Sequence, residues 1–91
     1  MENIILDFTK CKSLNQIHMI FKNKLNFPDY YGENWSALRD CLCDLMGKHI
    51  LIEIYGFEFL PKEYEEDIEI MKKIFEDINK KYPELIFKIN S

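Results

Sequence analysis

The sequence has few of the residues that would build a phosphate-binding loop, a disulfide framework or a metal site. Its 91 residues contain only three glycines and three cysteines. The glycines are widely spaced and form neither a GxGxxG nor a GxxxxGK[ST] pattern, which argues against the common nucleotide-binding loops. Cys11, Cys41 and Cys43 cannot all pair and show no CxxC spacing. We therefore expect free thiols in a reducing compartment, and neither zinc nor any other cofactor.

Long apolar runs and an excess of basic residues are also missing. No stretch of 18 apolar residues is present, which predicts no transmembrane helix. The first seven residues lack the basic region of a signal peptide, so we expect a cytoplasmic protein. Lys and Arg number 12 against 16 Asp and Glu, a net charge of −4. This balance disfavours sequence-independent nucleic-acid binding, but it is compatible with a basic protein partner or with no charged partner at all.

The residues that are present predict one α/β domain covering residues 1–91. Apolar periodicity and capping residues place strands at 3–8, 50–55 and 84–89, and helices from Ser13 to about Asn26, from about Asn34 to Met46 before Gly47, and over 63–81. Residues 57–61 could add a short helical turn. The expected order is β-α-α-(short α)-β-α-β, with a three-stranded parallel sheet packed with three or four helices. The strand at 50–55 is almost entirely apolar, so we expect it to be central and covered on both faces.

No catalytic pair can be placed in this pattern. His18 lies beside the apolar stripe of the first helix, where a hydrogen-bonded structural histidine is expected. His49 precedes the central strand and is expected at the surface or a boundary. A Cys–His hydrolase built from Cys41 or Cys43 stays conceivable, but no motif supports it. Seven acids in residues 53–69 could attract a cationic partner, although the dipole of the third helix accounts for most of them.

The segment 27–42 is the most informative part of the chain. Pro28 fixes its own φ, and the neighbouring Tyr30 and Tyr31 are large amphipathic rings. Gly32 permits a backbone conformation that other residues resist, and Asn34 can cap the helix that follows. These residues predict a rigid loop that leads into the second helix.

Helical spacing assigns two faces to the second helix. Trp35, Leu38, Leu42 and Leu45 form the inward stripe, with Cys41 beside it; Ser36, Asp40 and Asp44 form the outer face, with Arg39 and Cys43 on its flanks. We expect Trp35 to be a core residue rather than an interface residue. Residue types alone leave open whether the outer face is merely solvated or binds a partner.

The run Pro28-Asp29-Tyr30-Tyr31-Gly32-Glu33-Asn34, followed by Ala37-Leu38 and Asp40-Cys41-Leu42, resembles the barstar family. These are small intracellular inhibitors of secreted bacterial ribonucleases. The resemblance implies a monomeric, non-enzymatic inhibitor that binds one nuclease molecule. It lays its second helix and the preceding loop across the nuclease active site. The resemblance also implies that Asp40 mimics a substrate phosphate, that Tyr30 stacks on a catalytic histidine, that Gly32 and Asn34 make polar contacts, and that Asp77 is a further acidic contact.

Several residues depart from the barstar pattern. Ser36 stands where barstar carries a second interface acid, Arg39 and Leu45 stand where it has tryptophans, and Asp44 replaces a glycine. These changes suggest a nuclease other than barnase, and Arg39 could pair with Asp40 or Asp44. They also support an alternative, a non-inhibitory interaction domain on the same scaffold. The expected partner-binding residues are Tyr30, Gly32, Asn34, Ser36, Arg39, Asp40, Cys43, Asp44 and Asp77.

Overall fold

A computed structural model describes residues 1–90 of the chain. Its elements are β1 (Glu2–Asp7), α1 (Leu14–Leu25), α2 (Trp35–Cys43), β2 (Ile50–Tyr55), α3 (Glu65–Lys81) and β3 (Leu85–Asn90). The strands form one parallel sheet in the order β1-β2-β3. The predicted α/β fold and the order of strands and long helices are therefore confirmed. The short helical segments are two 3-10 turns, Phe57–Phe59 and Lys62–Tyr64. Both follow β2, as the position of residues 57–61 predicts, whereas the expected order had placed the short helix before that strand.

The sheet is covered on one face, although we expected the central strand to be covered on both. Ile50, Ile52 and Ile54 point inward and are at most 2% exposed. Leu51 and Glu53, on the opposite face, are only half-buried. Parallel crossovers are almost always right-handed, and both crossovers here move across the sheet in the same direction. Their helices consequently lie on the same side, and the other face stays open.

Capping residues begin the first two helices where the sequence predicted, whereas α3 begins at Glu65 instead of residue 63 and has no side-chain cap. Ser13 begins α1, and its Oγ accepts a hydrogen bond from the Gln16 backbone N–H at 3.3 Å. Gln16 returns a bond to the Lys12 N–H at 2.6 Å rather than to Ser13, so the capping box is shifted by one residue. Asn26 ends α1 in the left-handed conformation, with φ 59°.

The end of α2 differs from the prediction. The helix ends at Cys43 instead of Met46, and Gly47 lies in the turn that follows. The N–H groups of Asp44, Leu45 and Met46 bond to carbonyls three residues earlier, at 3.0–3.2 Å. These hydrogen bonds span three residues instead of the four of an α-helix, so the α-helix ends before Gly47.

An aromatic core joins the helices to the sheet. The rings of Phe8 and Phe57 stack with centroids 5.7 Å apart, and Phe21 lies 5.4 Å from Phe8. Gly56 follows β2 with φ 96°, and a Cβ there would lie 2.4 Å from the Thr9 backbone nitrogen. Only glycine therefore permits the ends of β1 and β2 to approach so closely.

Candidate functional site

The two adjacent tyrosines of the loop before α2 have opposite roles. Tyr31 is 5% exposed, and its ring centroid lies 5.1 Å from that of the buried Phe27. Its backbone N–H also bonds to the Pro28 carbonyl at 3.0 Å. Tyr30 is 84% exposed. Tyr31 thus anchors the loop, while Tyr30 is available to a partner.

A buried hydrogen bond ties this loop to α1. The Tyr31 hydroxyl lies 2.6 Å from Nδ1 of His18, which is 4% exposed. Burial lowers the pKa of His18, and the carboxylates of Glu33 and Asp67 only partly oppose that effect. A neutral imidazole with its proton on Nε2 can then accept a hydrogen bond from the Tyr31 hydroxyl at Nδ1. The prediction of a hydrogen-bonded structural histidine is confirmed.

Trp35 closes this cluster at the start of α2. Its ring centroid lies 4.5 Å from that of His18, and its Nε1 donates to Asp67 Oδ1 of α3 at 2.9 Å. The side chain is half-buried and packs against the core. Our expectation of a core tryptophan therefore holds for its packing, but the ring lies at the margin of the core because its N–H needs a polar partner.

The turn into α2 is fixed by Asn34 rather than by the flexibility of Gly32. Asn34 Oδ1 accepts from the Ala37 N–H at 2.8 Å, which confirms the predicted cap, and its Nδ2 donates to the Gly32 carbonyl at 3.2 Å. The residue with positive φ is Glu33, at 51°, so the special conformation predicted for Gly32 was wrong. Gly32 matters for space, because a Cβ there would lie 3.1 Å from Asn34 Nδ2.

Sequence reasoning missed the structural role of Glu33. Its carboxylate accepts a hydrogen bond from Asn15 Nδ2 of α1 at 2.7 Å, which holds the strained residue in place. No sequence signal identifies it, because glutamate is not among the residues enriched at positive φ.

The two predicted faces of α2 are confirmed in the structure. Leu38, Cys41, Leu42 and Leu45 are buried, while Ser36, Asp40 and Asp44 are exposed. Cys43 is half-buried on the flank. Within residues 1–90, neither Asp40 nor Asp44 takes part in an ion pair. Their carboxylates are therefore free to meet a partner.

Arg39 is paired with α3 and not with its neighbours on α2. Its Nη1 lies 3.1 Å from Asp77 Oδ2, and Lys73 Nζ lies 3.3 Å from the other oxygen of the same carboxylate. Partial burial opposes ionisation of Asp77, but hydrogen bonds from Lys73 and Arg39 outweigh it and lower its pKa. The structure thus brings Arg39 and Asp77 together, and the suggested pairing of Arg39 with Asp40 or Asp44 is not formed.

No group of three His, Cys, Asp or Glu side chains within residues 1–90 could hold a metal ion. In the same part of the chain, no helix combines the length and apolarity needed to cross a bilayer. What the arrangement offers is an exposed aromatic ring, two free carboxylates and one paired guanidinium on a rigid loop and helix.

Known proteins resemble the chain over almost its whole length. The family model described as "Barstar (barnase inhibitor)" matches residues 1–89. A protein of Bacillus subtilis (strain 168), named "Putative ribonuclease inhibitor YrdF", is 31% identical over 90 residues. That match covers 94% of this chain and 99% of the Bacillus protein. With its three-stranded parallel sheet and its loop–helix surface, the chain belongs to the barstar family.

Proposed function

We propose that this protein inhibits a ribonuclease, or a related toxin nuclease, by covering the active site with residues 28–45. The observation that carries the proposal is the free carboxylate of Asp40, displayed on a helix whose entry loop is rigidly held. Tyr31 and Asn34 fix that loop through the 2.6 Å and 2.8 Å hydrogen bonds described above. A preorganised surface loses little conformational entropy on binding, which favours tight association.

Asp40 is assigned the role of a phosphate mimic. A nuclease active site binds the RNA phosphodiester through cationic groups, and a carboxylate can accept charge-assisted hydrogen bonds from the same groups. Asp44 adds a second free acid one helical turn away. Tyr30, whose ring is 84% exposed, would stack on an active-site side chain such as a catalytic histidine.

The charge of the whole protein supports a basic partner. A net charge of −4 attracts a cationic nuclease and speeds its association. We propose a monomer that binds one nuclease molecule in the cytoplasm and protects the producing cell. This role needs no cofactor and no catalytic activity of the inhibitor.

Titration against nuclease activity tests the proposal. The probes are barnase and the basic ribonucleases purified from the culture medium of the producing organism, assayed with a fluorogenic RNA. Asp40→Ala should weaken inhibition by about 2–5 kcal/mol, the usual cost of truncating one partner of a buried charge pair, which equals about 30-fold or more. Glu69→Ala removes an exposed acid from α3, and it should leave inhibition within about twofold.

The alternative function is a non-inhibitory interaction domain. It is favoured by one observation, the guanidinium of Arg39 on the otherwise acidic face. Under this alternative, the purified protein inhibits none of the ribonucleases tested and captures a partner without nuclease activity. Unchanged inhibition by the Asp40→Ala variant would remove the phosphate-mimic mechanism while leaving an inhibitor.

A further inference from the structure

We propose that Arg39, held in place by Asp77, determines which nuclease the protein binds. Its guanidinium forms an ion pair with a carboxylate of the nuclease. The inference rests on the proposed function and adds a chemical requirement for the partner. It selects a ribonuclease that presents an acidic side chain beside the cationic groups of its phosphate site.

The position of Arg39 is defined by contacts between two helices. Its guanidinium reaches from α2 to Asp77 on α3, with Nη1 to Oδ2 at 3.1 Å, and its side chain remains 41% exposed. Asp77 is also bound by Lys73 at 3.3 Å. The carboxylate is therefore shared between two cations, and the cluster of these three residues carries a net positive charge.

The guanidinium has donors to spare. It carries five N–H groups, and the contact with Asp77 uses one of its nitrogens. Complex formation would remove the exposed part of the side chain from water. Burying the N–H donors that Asp77 leaves unused, in a cluster with a net positive charge, is costly, so we infer that a tightly bound nuclease supplies an acceptor at this point.

The nature of a ribonuclease active site identifies that acceptor. Cationic groups that bind the phosphodiester would repel Arg39 and favour its neighbour Asp40. RNA cleavage also requires a general base to take a proton from the attacking hydroxyl, and a carboxylate is one of the groups that can do so. A nuclease with that arrangement meets Asp40 with its cations and Arg39 with its carboxylate, in bidentate geometry that lysine cannot reproduce.

Asp77 acquires a different role from the one that the family resemblance implied. Its two oxygens are occupied by Arg39 and Lys73, so it is poorly available as a phosphate mimic. It acts as a positioning residue, which holds the Arg39 fork away from Asp40 and leaves that carboxylate free.

Two substitutions that remove the same charge from the same cluster provide the test. Inhibition constants are measured for Arg39→Gln and Lys73→Gln against the basic ribonucleases from the producing organism's culture medium. General electrostatics predicts that both variants, being more acidic, bind a basic nuclease at least as tightly as the native protein. A lost carboxylate contact instead predicts that Arg39→Gln weakens inhibition by about 10-fold or more, while Lys73→Gln changes it by less than about twofold.

The positioning role of Asp77 has its own measurement. Asp77→Asn should weaken inhibition less than Arg39→Gln does, and the double variant should be no weaker than Arg39→Gln alone. Thermal unfolding of each variant serves as the control, since partly exposed pairs contribute little to stability. Additive losses in the double variant would show that Asp77 contacts the nuclease independently, and would overturn its positioning role.

The outcomes separate this inference from the proposed function. If Asp40→Ala abolishes inhibition but Arg39→Gln and Lys73→Gln behave alike, the carboxylate contact is overturned and the inhibitor stands. If the native protein inhibits no ribonuclease in the fraction, both proposals are overturned. Tighter inhibition by Arg39→Gln would show that the cation opposes binding, which also contradicts the inference.

Discussion

At the scale of single residues, one of the two adjacent tyrosines stabilises the fold and the other is available for binding. Tyr31 is buried and its hydroxyl is hydrogen-bonded to Nδ1 of His18, so its ring and its hydrogen bond both stabilise the fold. Tyr30, by contrast, is 84% exposed. Neighbouring residues of one type can therefore be substituted to test two different functions.

Tyr31→Phe should lower the free energy of unfolding by about 1–3 kcal/mol. The substitution removes one hydroxyl and leaves the buried Nδ1 of His18 without a partner. Urea unfolding followed by circular dichroism measures the change. Tyr30→Phe is the matched control and should alter stability by no more than about 0.5 kcal/mol. Equal losses in the two variants would contradict the anchoring role of Tyr31.

At the scale of elements, two capping residues perform the same local task in different places. Ser13 caps α1 and Asn34 caps α2, each through a side-chain oxygen that accepts from an N–H three residues later. Only the Asn34 cap lies inside the proposed binding segment. The pair therefore allows loss of a helix cap to be distinguished from loss of the binding surface.

Asn34→Ala should destabilise the fold by about 0.5–2 kcal/mol and also weaken nuclease inhibition. The variant loses the bond to Ala37 and the bond to the Gly32 carbonyl, so the loop that presents Tyr30 loosens. Ser13→Ala should cost a similar free energy of unfolding and leave inhibition unchanged. The measurements are urea unfolding and titration of ribonuclease activity. Parallel loss of inhibition in both variants would indicate a global effect.

The sequence was sufficient for features that depend on nearby residues. Ser13 and Asn34 were identified because a cap acts within three residues, and the outward position of Asp40 followed from helical spacing. The predicted end of α2 lies three residues beyond the observed one, because Gly47 is a strong signal for the end of a helix. Residues 44–46 had already left the α-helix through hydrogen bonds to carbonyls three residues earlier. The glycine rule likewise favoured Gly32 over Glu33, although tertiary contact with Asn15 holds the unusual backbone at Glu33.

Features that depend on distant parts of the chain could not be predicted. Arg39 and Asp77 are 38 residues apart in the chain, and several acids were equally plausible partners for the guanidinium. Whether helices cover one face of the sheet or both depends on the order of the strands within the sheet. The order of the elements along the chain does not determine that strand order. The strand Ile50–Tyr55 predicted cover on both faces because Leu51 and Tyr55, on the open face, are apolar or aromatic like the buried isoleucines, and Glu53 is its only charged residue.

At the scale of the whole molecule, acid stability should depend on His18. Its pKa in the folded protein lies below the ordinary value of 6.5. The unfolded chain consequently binds more protons between these two pKa values, and linkage requires stability to fall as the pH drops below about 6.5. The contribution of His18 to the free energy of unfolding is fully lost once the pH lies below the pKa of His18 in the folded protein.

Urea unfolding between pH 7.5 and pH 5.0 measures this dependence. The stability of the native protein should decline across the interval, and His18→Gln should flatten the decline even if it lowers stability overall. His49→Gln removes the other, exposed histidine and should retain the decline. Asp7, Asp77 and Glu84 have lowered pKa values, so their contributions are lost only at more acid pH. An unchanged slope in His18→Gln would contradict the assignment.

The one-sided sheet has a practical consequence for experiments on solid supports. Because the helices lie on one face, the binding segment 28–45 and the open sheet face belong to opposite sides of the domain. Lys88 of β3 is exposed and shares its row of the open face with Ile5 and Glu53. Attachment to a sensor surface through that face would orient every molecule with Tyr30 and Asp40 toward the solution. Coupling through Lys22, which pairs with Asp29 of the loop before α2, would crowd Tyr30 instead.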